Sequence, residues 1–159
     1  IRVGGAVRSD RIDDKESMPV RICGCHFEDN DIRSKKMSVA DFGSAIAVWG
    51  HPASLPPSRQ MAQISRTDFV RNGRGGTSPN VIMCHGAGNV RLSRLLFLEN
   101  QSTRQTLRLA SSRKNGVYSA TMTTVVFKNN REPTQFSIDD GMNCAVEGVT
   151  SGGGKISCA

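Results

Sequence analysis

The sequence predicts an α+β fold, with an N-terminal helix followed by a mostly antiparallel β domain of two sheets. Three observations lead there. A chain of 159 residues, 37% apolar, is enough for one core and one domain. Its 16 glycines and 6 prolines punctuate short apolar runs spaced about 8–12 residues apart, the rhythm of strands joined by turns. The opening residues 1–16 instead mix charges of both signs with Val3, Val7 and Ile12, as the exposed end of a helix would. The expected division is therefore 1–16 as the helix end and 17–159 as the globular β domain. No repeat or homopolymer run stands out, and no stretch approaches 18 consecutive apolar residues.

Taken in order, Met18, Val20 and Ile22 alternate with Pro19, Arg21 and Cys23, a period of two that reads as a strand. Ala45 to Trp49 is a short apolar run between Gly43 and Gly50, suited to a strand buried on both faces. His51 to Pro57 is a proline-rich loop, and Asn72 to Asn80 is a flexible turn that lacks the Gly-Lys-Ser/Thr of a phosphate loop. Weaker strands are expected over 61–70, 81–84, 90–98 and 106–109, with a helix over Leu92 to Glu99 as the alternative. The clearest is 117–127, dense in β-branched Thr and Val. Residues 135–138, 143–146 and 155–158 complete the series, with 151–154 as a hairpin connection.

Charge is segregated along the chain. Residues 1–50 carry 8 basic and 8 acidic side chains, whereas 51–131 carry 12 basic against Asp68 and Glu99 alone. A segment this basic is a footprint for a polyanion, because each Lys or Arg laid on phosphate releases counterions. Arg91, Arg94, Arg104, Arg108, Arg113, Lys114 and Lys155 are the candidate DNA-binding residues, with Arg104 and Arg108 expected on one side of a strand. One Trp and one Tyr argue against a base-stacking platform for single strands, which leaves contact with a duplex backbone.

The five cysteines admit disulfides or a zinc site. Zinc would use Cys23-Gly24-Cys25-His26 with Cys84-His85, but Cys-x-Cys is shorter than the usual spacing of paired zinc ligands. No metal or cofactor is expected. Cys144 and Cys158 flank Gly-rich turn material as two neighbouring strands would, and a bridge closing a loop of about 15 residues would stabilise by about 3 kcal/mol. Cys23 or Cys25 is then the candidate to pair with Cys84. His26, His51 and His85 lie in loops or at strand ends without a nucleophile elbow, and Asp139-Asp140-Gly141 reads as a turn, so no enzyme is expected.

The segment Ala6 to Cys23, with its charged stretch running into Pro19-Val-Arg-Ile-Cys23, resembles the helix-to-strand junction of GspH/FimT-type minor pilins and pseudopilins. Ser44 to Trp49, Val125 to Asp139 and Gly153 to Ser157 are similar to that family's later strands, although Ala45, Asn130 and Lys155 depart from its usual Trp, Gly and Arg. The match covers about 1–50 and 117–159. It implies a non-enzymatic minor pilin of a type IV pilus, in a tip or priming complex, with a prepilin leader and an apolar half-helix ahead of Ile1. Other minor pilins and the major pilin would be its partners, double-stranded DNA a ligand relevant to natural transformation, and the inner membrane its anchor through the helix absent from this chain. Its location would be inner membrane and periplasm, then the cell-surface pilus. The alternatives are a minor pseudopilin of a type II secretion system, or a secreted disulfide-stapled β domain that binds an acidic ligand.

Overall fold

The computed structural model describes residues 7–9, 20–32, 43–49, 60–74, 79–85, 89–110, 118–131, 134–138, 142–151 and 155–157. The strands follow one another as successive coils. The first holds β1 (Val7–Ser9), β2 (Val20–Cys23) and β3 (His26–Glu28). The second holds β4 (Gly43–Trp49) and β5 (Gln60–Val70), the third β6 (Asn80–His85) and β7 (Asn89–Leu98), and the fourth β8 (Gln105–Ala110) and β9 (Tyr118–Lys128). The fifth holds β10 (Thr134–Ile138), β11 (Met142–Glu147) and β12 (Thr150–Ser151), and β13 (Lys155–Ser157) begins another.

Consecutive strands do not pair. One sheet runs β1-β4-β6-β8-β10-β13 and the other β11-β9-β7-β5-β2, with β3 on β5 and β12 on β9. Every pairing is parallel. The chain leaves one sheet, crosses the other and returns one rung higher, so a strand takes the place that a helix has in an ordinary parallel crossover. This is a parallel β-solenoid, in which each coil buries its apolar face only by stacking on its neighbours.

The fold corrects the expected α+β class. No helix occurs among the described residues, and β1 lies inside the segment 1–16 assigned to a helix end, pairing in parallel with Val48 and its neighbours on β4. The sheets are parallel rather than antiparallel because the connections turn a corner into the other sheet instead of folding back as hairpins. Period-two alternation is the same in both arrangements, so it could not separate them.

A repeat that the sequence reading passed over sets the register. Phe27, Phe69, Phe97 and Phe127 each precede Asn30, Asn72, Asn100 and Asn130 by three residues. The rings stack, with centroids 5.3 Å apart from Phe27 to Phe69 and 4.9 Å apart for the next two steps. The asparagines form a second ladder. Asn100 Nδ2 donates to Phe69 O and to Asn130 Oδ1, both at 2.9 Å, while its Oδ1 accepts from the Asn72 backbone N–H at 2.9 Å and from Asn72 Nδ2 at 3.1 Å. Each asparagine side chain thus satisfies backbone groups left unpaired where the chain turns a corner.

Two further rows mark the corners. Asp29, Arg71, Glu99 and Asn129 have φ of 52–54°, and one row earlier Arg66, Arg94 and Thr124 have φ of 49–55°, in line with Gly24 and Gly148. Left-handed backbone at these positions lets the ladder bend without losing register. Inside lie stacked rows such as Ile22, Ile64, Leu92 and Met122, facing Ile46, Ile82, Leu107 and Phe136 from the other sheet. Residues 44–48 are fully buried, as expected for a strand covered on both faces.

Candidate polyanion-binding face

On the outer side of the β2-β5-β7-β9 ladder, before the first corner, parallel register lines up equivalent positions. Arg21, Gln63, Arg91 and Thr121 form one row, and Cys23, Ser65, Ser93 and Thr123 the next but one. Arg66, Arg94 and Thr124 at the bend complete the face. Neighbouring rungs sit about 4.8 Å apart. Arg21, Arg66, Arg91 and Arg94 are exposed, whereas Gln63, Ser65, Ser93 and Thr123 are half-buried. The result is a surface of guanidinium groups set among amide and hydroxyl groups, with no carboxylate on it from β2 to β9; Glu147 on β11 is the first acid met along it.

Past the bend the electrostatics change. Arg71 is ion-paired with Glu28 and, at 3.2 Å, with Asp29, which raises its pKa through the Asp29 hydrogen bond. Arg74 meets Glu99 at 3.4 Å, and His26 lies 3.4 Å from Glu28 and 3.9 Å from Asp68. His26, Arg71 and Arg74 on that side each have an acid opposite them. Arg21, Arg66, Arg91 and Arg94 on the first face have none within ion-pair distance among the described residues.

The structure divides the residues proposed from sequence. Arg91 and Arg94 lie on the face. Arg104 is exposed but precedes β8, its N–H bonded to Pro79 O at 3.1 Å, so it is not on one strand side with Arg108. Arg108 is half-buried on β8 in the other sheet, aligned with Met83 and Ser137. Lys155 starts β13 in that same sheet, and Arg113 and Lys114 lie outside the described residues. Arg21 and Arg66 were missed. The spacing from each Phe-x-x-Asn back to its strand places Arg21 with Arg91 and Arg66 with Arg94, and that was the signal available.

The cysteine pairing is also corrected. Cys23 and Cys84 are both free, Cys23 exposed on one sheet and Cys84 buried in the other, where burial pushes its thiol pKa up to about 12. The expected Cys144–Cys158 pair falls partly outside the described residues: Cys144 is on β11, Cys158 is not described, and the strands 142–147 and 155–157 belong to different sheets. Among the described residues no three His, Cys, Asp or Glu side chains gather as a metal site would require.

No family model, curated protein or solved structure matches this chain.

Proposed function

We propose that this protein is a non-enzymatic β-solenoid module that binds duplex DNA through the Arg21, Arg66, Arg91 and Arg94 face. One observation carries the reading: four exposed guanidinium groups share one face with no ion-pair partner among the described residues, while the paired cations lie beyond the bend. Arginine donors spaced along a rigid ladder suit phosphate oxygens, and the surrounding Ser, Thr and Gln groups can donate to the same backbone. The absence of carboxylate and imidazole groups from this face in β2 to β9 supports binding rather than acid–base chemistry there. The pilus-subunit role depended on a helix-plus-antiparallel plan that the fold replaces, and no observation favours it over a free binding module.

The test is a gel-shift titration with a 30-base-pair duplex at several salt concentrations. Four phosphate contacts predict a slope of log K against log salt of about −3 to −4, and the double variant R91Q/R94Q should flatten it by about 2. R104Q, off the face, should leave the slope unchanged. Failure to form a complex at low salt with high micromolar protein refutes the proposal. Binding of a polyuronate but not of DNA would assign the face to an acidic polysaccharide instead.

A further inference from the structure

The same face ends at Cys23, and Cys25 follows just past the bend, a pair of thiols that the DNA reading does not use. Cys23 and Cys25 are both exposed and flank Gly24, whose φ of 65° turns the chain between them. The segment is held against β5: Gly24 N–H donates to Ser65 O at 3.0 Å, Cys25 N–H to Thr67 Oγ1 at 3.4 Å, and Asp68 N–H to Cys25 O at 3.0 Å. Arg66 Nη2 lies 3.0 Å from Cys23 Sγ, and Cys25 Sγ folds back to Cys23 O at 3.5 Å.

We propose that Cys23 and Cys25 form a dithiol site that exchanges with small anionic disulfides of the glutathione-disulfide class, with Cys23 as the attacking sulfur and Cys25 as the resolving one. A nucleophilic cysteine needs exposure and a cation that favours its thiolate, and Cys23 has both. The Ser65 hydroxyl and then the Arg66 guanidinium hold its pKa below the ordinary thiol value. On β5, the described strand paired with β2, Arg66 is the charged group that meets Cys23; Arg21 precedes it on its own strand. Arg91 and Arg94, one coil further on, add the field that draws in an anionic reagent.

The step balances in two exchanges. The Cys23 thiolate attacks one sulfur of the disulfide, forming a Cys23–glutathione bond and releasing one glutathione thiolate, which takes a proton from water. Cys25 then gives its proton to solvent and attacks Cys23 Sγ, closing a Cys23–Cys25 disulfide and releasing the second glutathione. The protein dithiol is oxidised by two electrons and the glutathione disulfide is reduced to two thiols. Cys84 takes no part because burial keeps it protonated and out of reach.

The experiment treats reduced protein with glutathione disulfide near pH 7 and follows intact mass and peptide maps. Wild-type protein should pass to a Cys23–Cys25 disulfide without accumulating an adduct, while C25S should hold one glutathione on residue 23. In C23S, Cys25 should react about fivefold or more slowly, and R66Q should slow Cys23 by a similar factor while moving its rate–pH midpoint upward. Cystamine, a cationic disulfide, should lose most of the advantage of Cys23 over Cys25. Equal rates at the two cysteines, no effect of R66Q, or a stable adduct in wild-type protein would each overturn the proposal. Duplex binding by C23S separates this outcome from the DNA reading, since that variant leaves all four arginines in place.

Discussion

Replacing Asn100 by alanine probes what holds the coils in register. Asn100 is fully buried, and its amide group is the partner of Phe69 O and of the Asn72 N–H. Truncation leaves both backbone groups buried without those bonds, whereas Asn130 Oδ1 still accepts from the Asn100 N–H at 2.8 Å. Each buried orphan costs about 1–3 kcal/mol, so N100A should lose about 4 kcal/mol, a large share of a stability that is about 5–15 kcal/mol for a typical domain. Asn30, half-buried at the end of the ladder, is the control. Its side chain donates to Glu28 O and to Asn72 Oδ1, and the latter keeps the Asn30 N–H at 3.1 Å. N30A should therefore cost only about 1 kcal/mol. Urea unfolding measures both, read as a shift in midpoint at constant slope. Equal losses for the two variants, or a loss below about 1 kcal/mol for N100A, would refute the view that the asparagine ladder satisfies the corner backbone.

Two further outcomes follow from local geometry. Thr124 has φ of 55° in a row where Gly24 and Gly148 occupy equivalent positions, so T124G relieves a left-handed penalty of about 1–2 kcal/mol at some cost in chain entropy. A net gain of about 0.5–1 kcal/mol in chemical denaturation is expected, and a loss would show that the bend is not strained. Burial pushes the Cys84 thiol up to about 12 in the folded state, while in the unfolded chain it ionises near the ordinary thiol value of 9.0. Its contribution is therefore fully present below about pH 9 and falls as pH rises towards 12, by about 1 kcal/mol at pH 10. The stability difference between wild-type protein and C84A, measured at pH 8 and pH 10, should shrink by that amount, and a constant difference would contradict the burial of this thiol.

Several elements were legible locally. The alternation of Val20, Ile22 and the β-branched run before Phe127 marked strands, and Ala45 to Trp49 read as buried on both faces because a short, wholly apolar run can pack in no other way. The positively charged middle of the chain was equally plain, and Arg91 and Arg94 were picked out from it. Neither reading depends on which strand lies next to which.

The partnership of strands, and with it the site, needed the tertiary structure. Parallel and antiparallel ladders use the same two-residue period, and only the recurrence of Phe-x-x-Asn at 27, 69, 97 and 127 records that each coil sits on the one before. Once stacked, residues about 28 apart, such as Arg66 and Arg94, become neighbours one rung apart, while Arg104 and Arg108, four residues apart in sequence, fall outside that face. Cys23 and Arg66 meet at 3.0 Å across 43 residues for the same reason. Composition set the amount of charge and the number of strands; the coiling decided which charges face an acid and which face open solvent, because proximity across rungs is a property of register and not of sequence distance.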